Sequence, residues 1–182
     1  MRRACLVFVG SCGLEYTCGS WGSTFLVQAK GMAADAAALT VTFYYVGMAT
    51  GRFLSGVLAG RLTARQLVRL GQGVTLGALL LVLLPLPPAC AAAGLFCIGL
   101  GNGPVFPNML HLTPSLFGRE RSQAVMGVQM SASYVGILLA PALFGLAAQY
   151  ISAALYPVYL LALYALMMAG SLLLLGKRQA EG

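Results

Sequence analysis

The chain has 182 residues, of which 59% are hydrophobic and only 8% charged, with a formal net charge of +7 and a mean hydropathy of +0.86. Ordinary soluble domains are roughly a quarter charged; this composition cannot build a polar surface, and a lipid bilayer is the solvent it suits. The positive charge lies in short clusters between apolar runs, which reads as a topology signal and excludes nucleic acid as the partner.

Six membrane spans are predicted, at about 4–28, 39–60, 67–86, 88–112, 122–149 and 152–176. Each holds roughly the 20 residues that an apolar helix needs to cross the hydrocarbon. The first begins "MRRACLVFVG", a basic start like that of a signal peptide. Its apolar run continues past Glu15 towards residue 28, too long for a cleaved core, so it is read as a span.

Glu15 is one of four acidic residues in the chain. An acid at mid-membrane costs roughly 2.5–3.5 kcal/mol on insertion scales, so such groups face a protein interior or a watery cavity. Cys18, Gly19 and Gly22 share its helical face. The residue is either a proton-accepting or solute-contacting carboxylate, or a structural one tied to an arginine or hydroxyl. Trp21 follows, able to stack on a sugar or aromatic solute or to anchor the helix at the interface.

The second span contains Arg52 within "YYVGMATGRFLSG". Three roles are open to it: snorkelling to the interface, pairing with Glu15, or capture of an anionic or hydroxylated solute. Tyr44 and Tyr45 have the same stacking or packing alternatives as Trp21. Small residues recur at spacing four, Gly47–Gly51–Ser55 and Gly56–Gly60, which lets helix backbones approach closely.

Pro87 and Pro88 divide the third span from the fourth. The fourth contains "GLGNGPVFPNM". Its glycines complete no dinucleotide fingerprint and follow no strand; with the prolines they mark a broken or kinked helix, tolerated where it is buried or lines a cavity. Asn102 and Asn108 are amides that could bind a polar solute or a neighbouring helix. His111, the one histidine, falls near a span end and reads as an interface residue or a proton relay. The fifth span supplies Gln129, Ser131, Ser133 and Tyr134.

Arg2, Arg3, Arg61, Arg65, Arg69, Arg119, Arg121, Lys177 and Arg178 all fall on one side if six helices cross, and Lys30 alone falls on the other. The positive-inside rule then places both termini in the cytoplasm. The five cysteines (Cys5, Cys12, Cys18, Cys90, Cys97) mostly lie in apolar runs without metal-like or disulfide-like spacing. No cofactor or metal is predicted.

Two patterns carry a family resemblance. "GVLAGRLTAR", residues 56–65, resembles the cytoplasmic loop motif G-x-L-A-D-R-x-G-R-[KR] of the major facilitator superfamily. Gly56, Leu58, Ala59, Arg61 and Arg65 match; Gly60 stands at the Asp position and Thr63-Ala64 at the later Gly-Arg. "GVQMSASYVGILLAPALFG", residues 127–145, resembles that family's G-x8-G-x3-G-P-x2-G-G helix-packing element through Gly127, Gly136, Pro141 and Gly145, with Ala140 and Phe144 in place of glycines. "PVFPNMLHLTPSLFGRE" and "GLEYTCGSWGSTFLV" are similar to the tenth-to-eleventh and seventh helix regions of sugar permeases related to fucose permeases.

The resemblance implies an all-α membrane protein with six transmembrane helices, equivalent to the C-terminal half of a twelve-helix transporter in a bacterial cell membrane. It implies alternating-access transport of a small polar solute, such as a sugar, with proton coupling. Glu15 is the foremost site candidate, followed by Arg52, Asn102, Gln129, Trp21 and Tyr45. A lone half would pair with an N-terminal half or a second copy of itself. Two alternatives stand beside this: a truncated fragment without activity of its own, and a six-span intramembrane protease using Ser20 or Ser23 with His111.

Overall fold

The computed structural model describes residues 1–176; Lys177 and Arg178 of the predicted basic C-terminal cluster lie outside them. The described residues form helices α1 (Arg2–Lys30), α2 (Ala34–Leu58), α3 (Ala64–Leu83), α4 (Pro88–Asn102), α5 (Val105–His111), α6 (Thr113–Phe117), α7 (Ser122–Tyr150) and α8 (Tyr156–Leu175), with a 3₁₀ turn at Ala153–Leu155.

Local chemistry sets the ends. Gly31, in the left-handed region at φ 66°, stops α1 by donating its N–H to Leu26 O. Thr63 begins α3 with a reciprocal cap, its Oγ1 accepting from Gln66 N and Gln66 Oε1 accepting from Thr63 N. The Thr63-Ala64 departure from the loop motif therefore serves the start of the next helix. Pro87 and Pro88 separate α3 from α4 as predicted. The predicted fourth span divides at Gly103 and Pro104 into α4 and α5, with α6 turning away to the loop that carries Arg119 and Arg121.

Six crossing helices were predicted, and here the structure departs from the sequence reading. Among the described residues, four segments are long and apolar enough to cross a membrane: Ala64–Leu83, Pro88–His111, Ser122–Tyr150 and Ala153–Leu175. Helices α1 and α2 have ample length, 29 and 25 residues. Their mean apolarity is diluted by Glu15, Arg52 and the accompanying glycines, hydroxyls and tyrosines.

Helix α1 packs chiefly on α7 and α8, while α2 and α3 both pack on α4. Contacts of α1 with α2 and of α3 with α8 join these groups into one bundle. The core between them holds Phe8, Leu14, Tyr44, Leu95, Phe144 and Tyr156, all buried. Glycines set the closest approaches. A Cβ at Gly47, Gly51 or Gly99 would strike the backbone carbonyl of Phe96, Leu100 or Tyr44 across the α2–α4 seam. Gly136 meets Val9 O of α1 in the same way, at 2.5 Å. Gly56, Gly60 and Gly127 face open space instead.

Buried polar pairs pin the helices in register. Ser11 Oγ donates to Asn102 Oδ1 at 3.0 Å and Asn102 Nδ2 returns a bond to Ser11 O at 3.1 Å, tying α1 to α4. Gln72 Nε2 donates to Ser171 Oγ at 3.0 Å between α3 and α8. The bundle ends are tied as well. Arg3 Nη1 donates to Leu173 O, and Lys30 Nζ donates to Leu84 O at 3.0 Å while lying over the Phe25 ring. The start of α1 thus meets the end of α8, and the end of α1 meets the end of α3.

Candidate functional site

Glu15, on α1, and Arg52, on α2, meet at 3.5 Å between Oε1 and Nη2. The Glu15 side chain is 18% exposed and that of Arg52 48%. The pair lies at a cleft of about 220 Å³ walled also by Cys12, Phe106, Ser133 and Tyr134, so α1, α2, α5 and α7 all contribute. Cys12 comes one helical turn before Glu15, which puts it on the same face. The sequence reading treated it as a small apolar residue, and its spacing from Glu15 was the signal that placed it in the cleft.

Arg52 has a second bond with a clear cause. Pro107 has no N–H to offer the carbonyl four residues earlier, so Gly103 O is left without its helical partner at the break between α4 and α5. Arg52 Nε donates to that oxygen at 3.3 Å. Pro104 likewise withdraws the partner of Leu100 O, the carbonyl that abuts Gly51. One guanidinium therefore bridges the acid of α1 and the interrupted fourth span.

The other candidates fall elsewhere. Asn102 is buried and engaged with Ser11. Gln129 is buried, its Oε1 accepting from Thr113 Oγ1 at 2.9 Å. Trp21 donates Nε1–H to Pro141 O at 2.9 Å, meets Phe144 edge-on and lies against Gly145. Of the packing-element positions, then, Gly136 receives α1, Pro141 and Gly145 receive Trp21, and Gly127 receives nothing. Tyr45 is half exposed and leans its hydroxyl over Gly19, beside Tyr44. Tyr44 Oη donates to the backbone carbonyl of Glu15 at 3.4 Å.

A larger cavity of about 460 Å³ lies on the other side of Arg52, lined by Ser55, Thr63, Asn108 and His111 among others. Ser20 and Ser23 are not among its lining residues, so His111 is placed with Arg52 and not with the serines of the protease alternative. Arg61 is exposed and Arg65 half-buried, either side in the chain of Leu62, Thr63 and Ala64, which line this cavity. Among the described residues no cluster of three or more metal-ligating side chains occurs.

A crystal structure of the peptide transporter POT, in mutant form with sulfate, superposes on this chain with a TM-score of 0.81 at 16% identity. It covers 97% of this chain, which spans 37% of the transporter. A second structure of POT in mutant form, with alafosfalin, gives the same TM-score and identity over 97% and 38% of the two chains. At this identity the likeness concerns the fold. Curated proteins yielded no match. The model of the Major Facilitator Superfamily matches residues 4–181, nearly the whole chain, and this chain belongs to the Major Facilitator Superfamily.

Proposed function

We propose that the chain works as the C-terminal six-helix half of a secondary transporter that moves a small polar solute, sugars included, by alternating access with proton coupling. The observation that carries this is the Glu15–Arg52 pair at 3.5 Å beside a cleft to which four helices contribute. A carboxylate that can exchange an arginine for a proton inside an apolar bundle is the chemistry that coupling needs. Family membership speaks for transport and against the intramembrane protease.

On this reading α1 and α2 cross the bilayer with the other spans, their polar residues turned towards a cavity and not towards lipid. The structure supports the arrangement by putting the starts of α1 and α3 and the end of α8 at one end of the bundle, where Arg2, Arg3 and Arg65 lie. That end is cytoplasmic by the positive-inside rule, and a bacterial plasma membrane is the proposed location. The cleft is a single wall. Large apolar side chains stand exposed on α2 (Phe43, Phe53, Val57) and α7 (Leu138, Leu139, Leu143), which suits lipid and a matching half, either an N-terminal one or a second copy.

The test is solute uptake by the assembled transporter in liposomes. Glu15→Gln is expected to abolish accumulation driven by a proton gradient while sparing solute exchange at equal pH. Full gradient-driven accumulation by this variant would refute the coupling role. The fragment alternative predicts neither accumulation nor exchange with any partner half.

A further inference from the structure

A third cavity lies away from Arg52, between α1 and α7. It measures about 470 Å³, within the range of roughly 300–1,000 Å³ typical of small-molecule sites. Trp21, Thr24 and Gln28 line it from α1, and Ala142, Gly145 and Gln149 from α7, each set spaced by three or four residues as one face of a helix is. The α7 face is small where the α1 face is large, and that mismatch leaves the space. Gln28 stands about 20 Å beyond Glu15 along α1, at a rise of about 1.5 Å per residue. None of the residues lining this cavity lines the Glu15 cleft.

The indole is fixed in place. Its Nε1–H is donated to Pro141 O at 2.9 Å, Phe144 meets it edge-on, and a Cβ at Gly145 would come within 2.8 Å of its Cζ2. With its one N–H spent, Trp21 offers a ligand only its ring surface, which stacks on flat apolar faces. Hydrogen bonding falls to Thr24, Gln28 and Gln149, none of whose side chains has a partner among the described residues. A carboxamide carries donors and an acceptor together, so two of them suit an edge that presents both. The lining holds no Asp, Glu, Lys, Arg or His. Lys30, close to Gln28 in the chain, is turned instead to Leu84 O and the Phe25 ring.

We propose that this cavity is a binding site for an uncharged ring with a polar edge, as a pyranose or a nucleobase presents. The ring stacks on Trp21, and Thr24 and the two amides bond its edge. A charged analogue finds no opposite charge here and gives up hydration without compensation. The site therefore selects for neutrality, in contrast with the paired charges of Glu15 and Arg52. It lies towards the end of α1 opposite Arg2 and Arg3. Its place as an outward-facing entry point rests on the transporter reading above, whereas the binding itself does not.

Trp21 is the one tryptophan, so its emission reports on this site directly. The experiment titrates the full chain in lipid nanodiscs with methyl glucoside and with uracil, each against its anionic counterpart, glucuronate and orotate, with excitation beyond the absorption of the ligands. At least one neutral ring is expected to change the emission saturably, and the one that does so identifies the source of the ring. Its anion is expected to bind at least about threefold more weakly. Gln28→Ala and Gln149→Ala, both at exposed positions, are each expected to weaken binding of the neutral ring by about threefold, as loss of one hydrogen bond implies. Ala142→Phe fills the cavity and is expected to abolish the response; the glutamine variants decide the matter if it does not fold. No saturable change with either neutral ring, equal affinity for ring and anion, or undiminished affinity in the glutamine variants would each overturn the site. Solute uptake by the assembled transporter in liposomes would then leave the transporter reading standing without it.

Discussion

Gly51 and Gly56 are five residues apart on α2, and they should respond oppositely to the same methyl group. A Cβ at Gly51 would strike the backbone carbonyl of Leu100, whereas a Cβ at Gly56 meets nothing within 4 Å. The Leu100 carbonyl is main chain and cannot rotate aside as a side chain would. For Gly51→Ala to be housed, α2 and α4 must part by on the order of 1 Å to restore van der Waals separation. Overpacking of this kind costs about 1–3 kcal/mol. For a chain of this size that converts to a midpoint lower by about 2–12 °C. Gly56→Ala removes backbone freedom from the unfolded chain without a clash and should be neutral or stabilising by up to about 1 kcal/mol. Arg52 adjoins Gly51, so the same parting should lengthen its bond to Gly103 O. On the proposed transporter function, Gly51→Ala should therefore also reduce solute uptake by the assembled transporter. The assay is thermal unfolding of each variant in one detergent, followed by uptake in liposomes. Equal midpoints for the two variants, or a neutral Gly51→Ala, would refute the close α2–α4 seam.

Two further outcomes follow from buried partners. Asn102→Ala should cost about 1–3 kcal/mol because it strands the Ser11 hydroxyl in the α1–α4 seam. Adding Ser11→Ala should recover part of that loss, and a strictly additive double variant in chemical denaturation would show that the two residues do not interact. Trp21 is the one tryptophan and its ring lies 2.8 Å from where a Cβ at Gly145 would be. Gly145→Val should displace the indole from Pro141 O and shift its emission maximum. An unchanged spectrum would refute the contact.

The sequence by itself determined the all-helical membrane class, though not the number of helices apolar enough to cross. In lipid only helices and closed barrels satisfy the backbone, and continuous apolar runs of about 20 residues, without the alternation of barrel strands, select helices. Prolines and glycines therefore mark its breaks: Gly31, Pro87 and Pro88 stand where helices stop or start, and the glycine–proline stretch of the fourth span is interrupted. The superfamily was legible too, through the loop and packing motifs. What it left open was the partner of each polar residue. Helical periodicity says which residues share a face, but the rotation and axial shift of one helix against another decide what that face meets. So Asn102 and Gln129, both plausible solute ligands from position alone, close onto Ser11 and Thr113. Glu15, Arg52 and the freed Gly103 carbonyl, far apart in the chain, are brought together. Tertiary packing alone decided this, because a buried polar group takes whatever partner the neighbouring backbone carries to within bonding distance.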